Sequence, residues 1–87
     1  MDVRSFKSLD EYINAAVSTA RFEKIDAGSK IYGEIPDFRG VWAQGRTRQE
    51  VVGELRKVLT GWIELQLERG YELPVVKGAR LEILNVA

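Results

Sequence analysis

YGEIPDFRGVWAQGRTRQE, residues 32–50, is the stretch of sequence that decides the fold. Side chains alternate over residues 31–35 as they do in a half-buried strand. Pro36 then removes a backbone hydrogen-bond donor and fixes φ near the value that a turn requires. The sequence therefore predicts a strand that ends at Ile35 and a turn over residues 36–40.

The second half of the stretch resumes in extended form and then starts a helix. Val41-Trp42-Ala43-Gln44 has the composition of a strand, and Gly45 ends it. Thr47 stands three residues before Glu50, which is the spacing of a capping box. A long helix is therefore predicted to begin at Arg48.

Another helix is predicted ahead of this stretch, because Ser8-Leu9-Asp10-Glu11 has the same capping spacing. Between it and the quoted stretch, residues 21–27 and 30–35 form a predicted antiparallel hairpin that turns at Gly28-Ser29. Apolar residues of the first helix recur at the spacing of one helical face: Leu9, Tyr12, Ile13, Ala16, Val17 and Ala20.

The helix that begins at Arg48 is predicted to run to Arg69, with Gly70 in the position that follows a helix end. Residues 80–86 are predicted to form a final strand, in which Leu81 and Ile83 share one face. The long helix carries a broad apolar stripe: Val51, Leu55, Val58, Leu59, Trp62 and Ile63.

Together these elements predict one domain over residues 1–87. We expect an α+β fold of two layers and of order α-β-β-β-α-β, with both helices on one face of a small mixed sheet. A chain of this size buries roughly 60–65% of its unfolded surface, which suffices for one modest core.

Two glycines interrupt the long helix. Gly53 and Gly61 each cost about 1 kcal/mol relative to alanine in a helix interior. Two explanations are open: the glycines allow tight packing against the chain's own first helix or sheet, or they allow the backbone of a partner to approach.

Composition excludes several classes of enzyme. The chain has no histidine, so catalytic triads, histidine-ligated zinc and histidine general bases are excluded. It has no cysteine, and 13 basic residues balance 13 acidic ones, so no net charge attracts it to nucleic acid or anionic membranes. With no long apolar run and no signal segment, a cytoplasmic protein without a cofactor is expected.

Carboxylates could still bind a divalent metal ion in a nuclease. Strands and one helix could bring four of them together: Asp26, Glu34, Glu50 and Glu54. Three have structural explanations, because Glu50 completes a capping box, Glu54 lies on the polar side of a helix and Asp26 precedes a turn. We therefore expect neither a catalytic nor a metal site.

The chain has a series of residues at fixed spacings: Tyr32, Glu34, Ile35-Pro36-Asp37, Gly40-Val41-Trp42-Ala43, Gly45, Thr47, Trp62-Ile63, Gly70 and Leu73-Pro74. Their order resembles the HicB family of antitoxins, and the resemblance runs from about Leu9 to Gly78. It implies a partial ribonuclease H-like fold and a non-enzymatic protein that binds and inhibits HicA, a small basic toxin that cleaves mRNA. Many HicB proteins carry a DNA-binding module after this domain. Since the chain ends nine residues after Gly78, we expect no direct nucleic-acid binding.

A surface for the HicA-like toxin is predicted beside the sheet, where acidic and aromatic residues suit a basic protein. Trp42 has two possible positions, either packed in the core or exposed as a binding hot spot. Asp37 is also common in turns for local reasons. The predicted members of this surface are Tyr32, Glu34, Asp37, Phe38 and Trp42.

Self-association is predicted as well, because the final strand is apolar on both sides and a lone edge strand pairs readily. We expect a homodimer or homotetramer joined by the open sheet face, by this edge strand or by both. Two alternatives to an antitoxin remain: a stand-alone homo-oligomeric binding domain without a toxin, and a metal-dependent nuclease. The predicted interface residues are Leu81, Ile83, Leu84 and Val86.

Overall fold

Two helices pack against an antiparallel sheet in the computed structural model, which describes residues 5, 6, 8–77, 80 and 81. This confirms the predicted two-layer α+β class. In chain order the elements are β1 (Ser5–Phe6), α1 (Leu9–Ser18), β2 (Arg21–Ile25), a 3₁₀ turn (Asp26–Gly28), β3 (Lys30–Glu34), β4 (Trp42–Gly45), α2 (Arg48–Glu68) and β5 (Arg80–Leu81).

The strands form two separate sheets within the described part of the chain. β2, β3 and β4 lie side by side in that order, and both pairs are antiparallel. β1 and β5 pair in parallel, with Phe6 opposite Leu81. The sequence predicted neither β1 nor this pairing, because two residues are too few to show a strand's alternation.

The final strand is therefore not a lone edge strand, since β1 lies along it. Its described part is confined to Arg80–Leu81. The other predicted interface residues, Ile83, Leu84 and Val86, lie outside the described residues.

Both helix starts follow the capping spacing that predicted them. The Ser8 hydroxyl accepts a hydrogen bond from the Glu11 N–H at 3.2 Å, and the Thr47 hydroxyl accepts one from the Glu50 N–H at 3.1 Å. The Glu50 carboxylate reaches back to the N–H of Arg46 at 2.9 Å, which is one residue before the cap. These bonds satisfy backbone donors that a helix start leaves without intrahelical partners.

Gly70 ends α2 as predicted. Its φ of +76° is in the left-handed region, which glycine adopts without steric penalty. The N–H of Tyr71 donates to the carbonyl of Gln66 at 2.9 Å, and the N–H of Gly70 donates to the carbonyl of Leu67 at 3.1 Å. This pair of bonds is a Schellman motif, which satisfies two carbonyls at the helix end.

Two successive turns connect β3 to β4. The Phe38 N–H donates to the carbonyl of Ile35 at 2.9 Å, and the Val41 N–H donates to the carbonyl of Phe38 at 3.0 Å. Pro36 occupies the second position of the first turn, and Gly40 has a φ of +85° in the second. The predicted turn over residues 36–40 is confirmed.

The hairpin between β2 and β3 turns earlier than predicted. β2 ends at Ile25. The next three residues have left-handed backbone conformations, with φ values of 56° at Asp26, 56° at Ala27 and 89° at Gly28. Glycine alone takes this conformation freely, so the sequence pointed to Gly28-Ser29 and missed the two residues before it.

The core lies between the helices and the inner face of the sheet. α2 lies across β3 and β4, and α1 packs beside α2, where the Arg56 guanidinium donates to the side-chain carbonyl of Asn14. Val58 was predicted in the apolar stripe but is 37% exposed, since it lies on the flank of the helix. The buried residues are Tyr12, Ile13, Ala16, Val17, Ile35, Phe38, Val41, Ala43, Val51, Leu55, Leu59, Ile63 and Val76.

Among the described residues, nothing packs against the two glycines within α2. A Cβ at Gly53 or at Gly61 would meet no atom within 4 Å. The prediction of tight packing against the first helix or the sheet is therefore wrong for the described residues, because both positions are exposed. Gly33 of β3 has that role instead, since a Cβ there would lie 2.6 Å from Val51 Cγ1.

Candidate protein-binding surface

The three-stranded sheet has one face that points away from α2. Gly33 points toward α2, where it contacts Val51. Because side chains alternate along a strand, its neighbours Tyr32 and Glu34 point to the opposite face. Trp42 is paired with Glu34 across the sheet and shares that face. We call this the outer face; among the described residues, no helix covers it.

Two aromatic rings stack on the outer face. The ring centroids of Tyr32 and Trp42 are 5.9 Å apart, and the ring planes meet at 26°. Trp42 remains 50% exposed, so the core position considered for it is wrong and the surface position is correct. A half-exposed indole held in place by a neighbouring ring offers a large contact area at little entropic cost.

Charged residues of both signs surround the stack. Arg21 of β2 is opposite Glu34, and Glu23 is opposite Tyr32, so their side chains share the outer face. Within the described part of the chain, the ion pair is Lys57 with Glu54 at 3.5 Å, and neither Glu23 nor Glu34 forms an ion pair with a described residue. Sequence reasoning missed Arg21 and Glu23. The alternation of β2 could have revealed them, but only once the register with β3 was known.

Phe38 does not belong to this surface, which corrects the sequence prediction. It is 1% exposed and lies in the core. Its ring meets Trp62 edge to face, with centroids 5.1 Å apart, and meets Tyr12 at 6.1 Å. The turn that begins at Ile35 reverses the chain and returns Phe38 beneath the helices.

Asp37 is exposed in the turn, and its negative charge affects the pKa of Tyr12 in α1. Tyr12 of α1 is fully buried, and its hydroxyl donates a hydrogen bond to the carbonyl of Pro74. Burial raises the pKa of the Tyr12 hydroxyl to about 12, and the negative charge of Asp37 adds to the rise. Asp37 therefore lies close to Tyr12, whereas Tyr32 and Trp42 are on the outer face.

The four carboxylates considered as metal ligands do not converge. Glu34 is on the outer face, whereas Glu50 caps α2 and Glu54 pairs with Lys57 on that helix. Asp26 lies in the turn between β2 and β3. The described residues contain no group of three or more acidic side chains that could hold a metal ion.

Neither of the two described helices combines the length and apolar character that crossing a membrane requires.

Comparison with known proteins places these features in a family. A family model described as UPF0150-like matches residues 11–74, which include most of α1, the three-stranded sheet and α2. The crystal structure of TTHA0281 from Thermus thermophilus is similar, with a TM-score of 0.78 and 37% sequence identity. That similarity covers 86% of this chain and 93% of the Thermus protein. No curated protein matches the chain.

Proposed function

We propose that this protein, which belongs to the UPF0150-like family, is a non-enzymatic antitoxin that binds a small basic toxin of the HicA type. The family includes HicB-like antitoxins, and the residue spacings from Tyr32 to Pro74 support the HicB branch. In this proposal the antitoxin covers the RNA-binding surface of the toxin and thereby prevents cleavage of mRNA.

The stack of the half-exposed Trp42 on the partly buried Tyr32 is the observation that carries the proposal. Anchors of protein interfaces are enriched in tryptophan and tyrosine, and they work best where surrounding residues exclude water. Here Glu23 and Glu34 stand beside the rings on the outer face. Each carboxylate can pair with a lysine or arginine side chain of a basic partner, and together with Arg21 opposite Glu34 they give the face a charge pattern that contributes to specificity.

A carboxylate-dependent nuclease has less support, because its four candidate ligands are spread over the outer face of the sheet, α2 and the turn between β2 and β3. A stand-alone homo-oligomeric domain of the same fold is the second candidate. The uncharged edge of β4, from Trp42 to Gly45, favours self-association, and that property is compatible with either role.

Co-expression tests the antitoxin proposal. The partner to use is a small basic protein with histidine encoded by an adjacent reading frame. We expect the wild-type protein to restore growth, to co-purify with the toxin and to stop RNA cleavage by the purified toxin. Trp42→Ala should weaken the complex by roughly thirtyfold or more, as hot-spot truncations of about 2 kcal/mol do.

Tyr71→Ala is the matched control, since Tyr71 is an equally accessible aromatic residue, 58% exposed, that follows α2 instead of lying on the sheet. It should leave binding unchanged. A toxin that remains active and unbound beside the folded wild-type protein would reject the antitoxin assignment. Equal weakening by Trp42→Ala and Tyr71→Ala would reject the outer face as the binding surface.

A further inference from the structure

The edge of β4 that faces away from β3 has hydrogen-bonding groups without a strand partner among the described residues. The Ile35 N–H donates to the Val41 carbonyl at 3.1 Å, so the backbone groups of Val41 point toward β3. Backbone groups of successive residues point to opposite edges, so those of Val41, Ala43 and Gly45 point toward β3. The N–H and C=O groups of Trp42 and Gln44 therefore point outward.

The two edges of the sheet differ in charge. β2, at the other edge, carries Arg21, Glu23 and Lys24, and charged side chains are a common means of preventing strands from pairing. β4 has no charged residue between Trp42 and Gly45. Paired β4 strands therefore bring no like charges of their own together, whereas the charged β2 edge opposes such pairing.

One flank of α2 continues the β4 edge. Glu50, at the start of the helix, packs against Gly45 of β4, with a distance of 3.2 Å from its Cβ to a Cβ built on the glycine. At 100° per residue, Val58 lies on the flank opposite Arg56, which bonds α1. Val58 and Leu65 are 37% and 45% exposed on this flank. Gly61 stands between them with open space in front of it.

From these observations we propose that the protein forms a two-fold homodimer in which β4 pairs antiparallel with β4 of a second copy. Ala43 lies at the symmetry axis. Trp42 of each copy then exchanges both backbone hydrogen bonds with Gln44 of the other, so four outward groups of each chain gain partners. The two sheets become one sheet of six strands, and the two stacks of Tyr32 on Trp42 come to lie on a single outer face.

The helices supply the area that the strands lack. A specific interface buries about 1,200 Å² or more, which exceeds what four-residue strands contribute. Strands are about 4.8 Å apart and α2 lies over β3 and β4, so the two copies of α2 come about 10 Å apart, within the range of packed helices. Val58 and Gly61 then face the second copy. Gly61 would let the two helices approach closely, a role that no contact among the described residues gives it.

Two proline substitutions test the dimer in the purified protein, without any toxin. Gln44→Pro removes an outward N–H and leaves the ladder between β3 and β4 intact, since proline is tolerated at a free edge. Lys24→Pro makes the matched change on β2, where the N–H also points outward. Sedimentation and light scattering should give a dimer for the wild type and for Lys24→Pro, and a monomer for Gln44→Pro. Circular dichroism checks that all three are folded.

Two further variants separate this interface from others. Val58→Glu, on the flank of α2, should raise the dimer dissociation constant by at least roughly tenfold. Leu84→Asp with Val86→Asp, in the terminal segment, should leave the dimer intact. The proposal is overturned by a monomeric wild type at hundreds of micromolar, by a dimer that survives Gln44→Pro, or by dissociation on changing Leu84 and Val86 alone.

Discussion

At Gly33 the fold has no room for a side chain. A Cβ there would lie 2.6 Å from Val51 Cγ1 and 3.2 Å from the Phe22 ring. We expect Gly33→Ala to lower the free energy of unfolding by about 1–3 kcal/mol, because overpacking forces α2 away from the sheet. Urea denaturation measures the loss.

The double variant Gly33→Ala with Val51→Ala supplies the control for this prediction. It removes the Cγ1 atom that the new methyl group meets, so the two changes should cost less together than the sum of their separate costs. Strict additivity, or a Gly33→Ala protein as stable as the wild type, would contradict close approach of the helix at this point.

Tyr12 predicts how stability depends on pH in the alkaline range. Its folded pKa of about 12 is above the ordinary tyrosine value of 10.0, so the fold favours the neutral phenol. That contribution to stability is fully present below pH 10 and is lost as the pH rises from 10 toward 12. The free energy of unfolding should therefore fall more steeply in this window for the wild type than for Tyr12→Phe.

At neutral pH, Tyr12→Phe should itself cost about 1–2 kcal/mol, since the hydroxyl no longer donates to the Pro74 carbonyl. Asp37→Asn is the companion variant. Removing the charge lowers the pKa of the folded Tyr12, so the alkaline loss should still begin near pH 10 but end at a lower pH and be smaller in total. Identical pH profiles for the wild type and Tyr12→Phe would refute this account.

Among the elements, α2 has a glycine with no packing role in the part of the chain that the structure describes. Gly53 is exposed, and a Cβ there would contact none of those residues within 4 Å. Gly53→Ala should therefore raise the free energy of unfolding by about 0.5–1 kcal/mol, the difference in helix propensity between the two residues. Thermal or urea denaturation measures the gain.

Thr47→Ala acts on the same helix in the opposite direction. It removes the acceptor for the Glu50 N–H, so a loss of about 1 kcal/mol is expected, whereas Thr47→Ser should keep most of the stability. Destabilisation by Gly53→Ala would mean that another chain, or part of this one, contacts the outer side of α2.

At the scale of the whole molecule, the fluorescence of the two tryptophans distinguishes the two faces of the sheet. Trp42 is half exposed on the outer face, and Trp62 packs edge to face on Phe38 in the helical layer. In Trp62→Phe, where Trp42 alone emits, we expect red-shifted emission and strong quenching by acrylamide. In Trp42→Phe the remaining emission should be blue-shifted and protected. The measurement is made at a concentration low enough to keep the protein monomeric, and equal quenching would reject the assignment of faces.

Much of this fold could be predicted from the sequence, because it depends on local interactions. Ser8 and Thr47 accept hydrogen bonds from residues three positions later, Gly70 needs no distant contact to adopt positive φ, and Pro36 fixes a turn by its own ring. Such interactions act over a few residues, so their spacing specifies where helices begin and end. The same local logic found the three central strands.

Only the tertiary structure decided where the aromatic side chains lie and which segments meet. Trp42 and Phe38 are both aromatic residues near a turn, yet one is exposed and the other is buried, because the double turn and the register of β4 set their directions. The pairing of β1 with β5 joins segments from opposite ends of the chain. The sequence by itself determined the two helices and the three central strands, since these depend on neighbours along the chain. The outer face, the core and the pairing of β1 depend on contacts between distant residues, which no local spacing encodes.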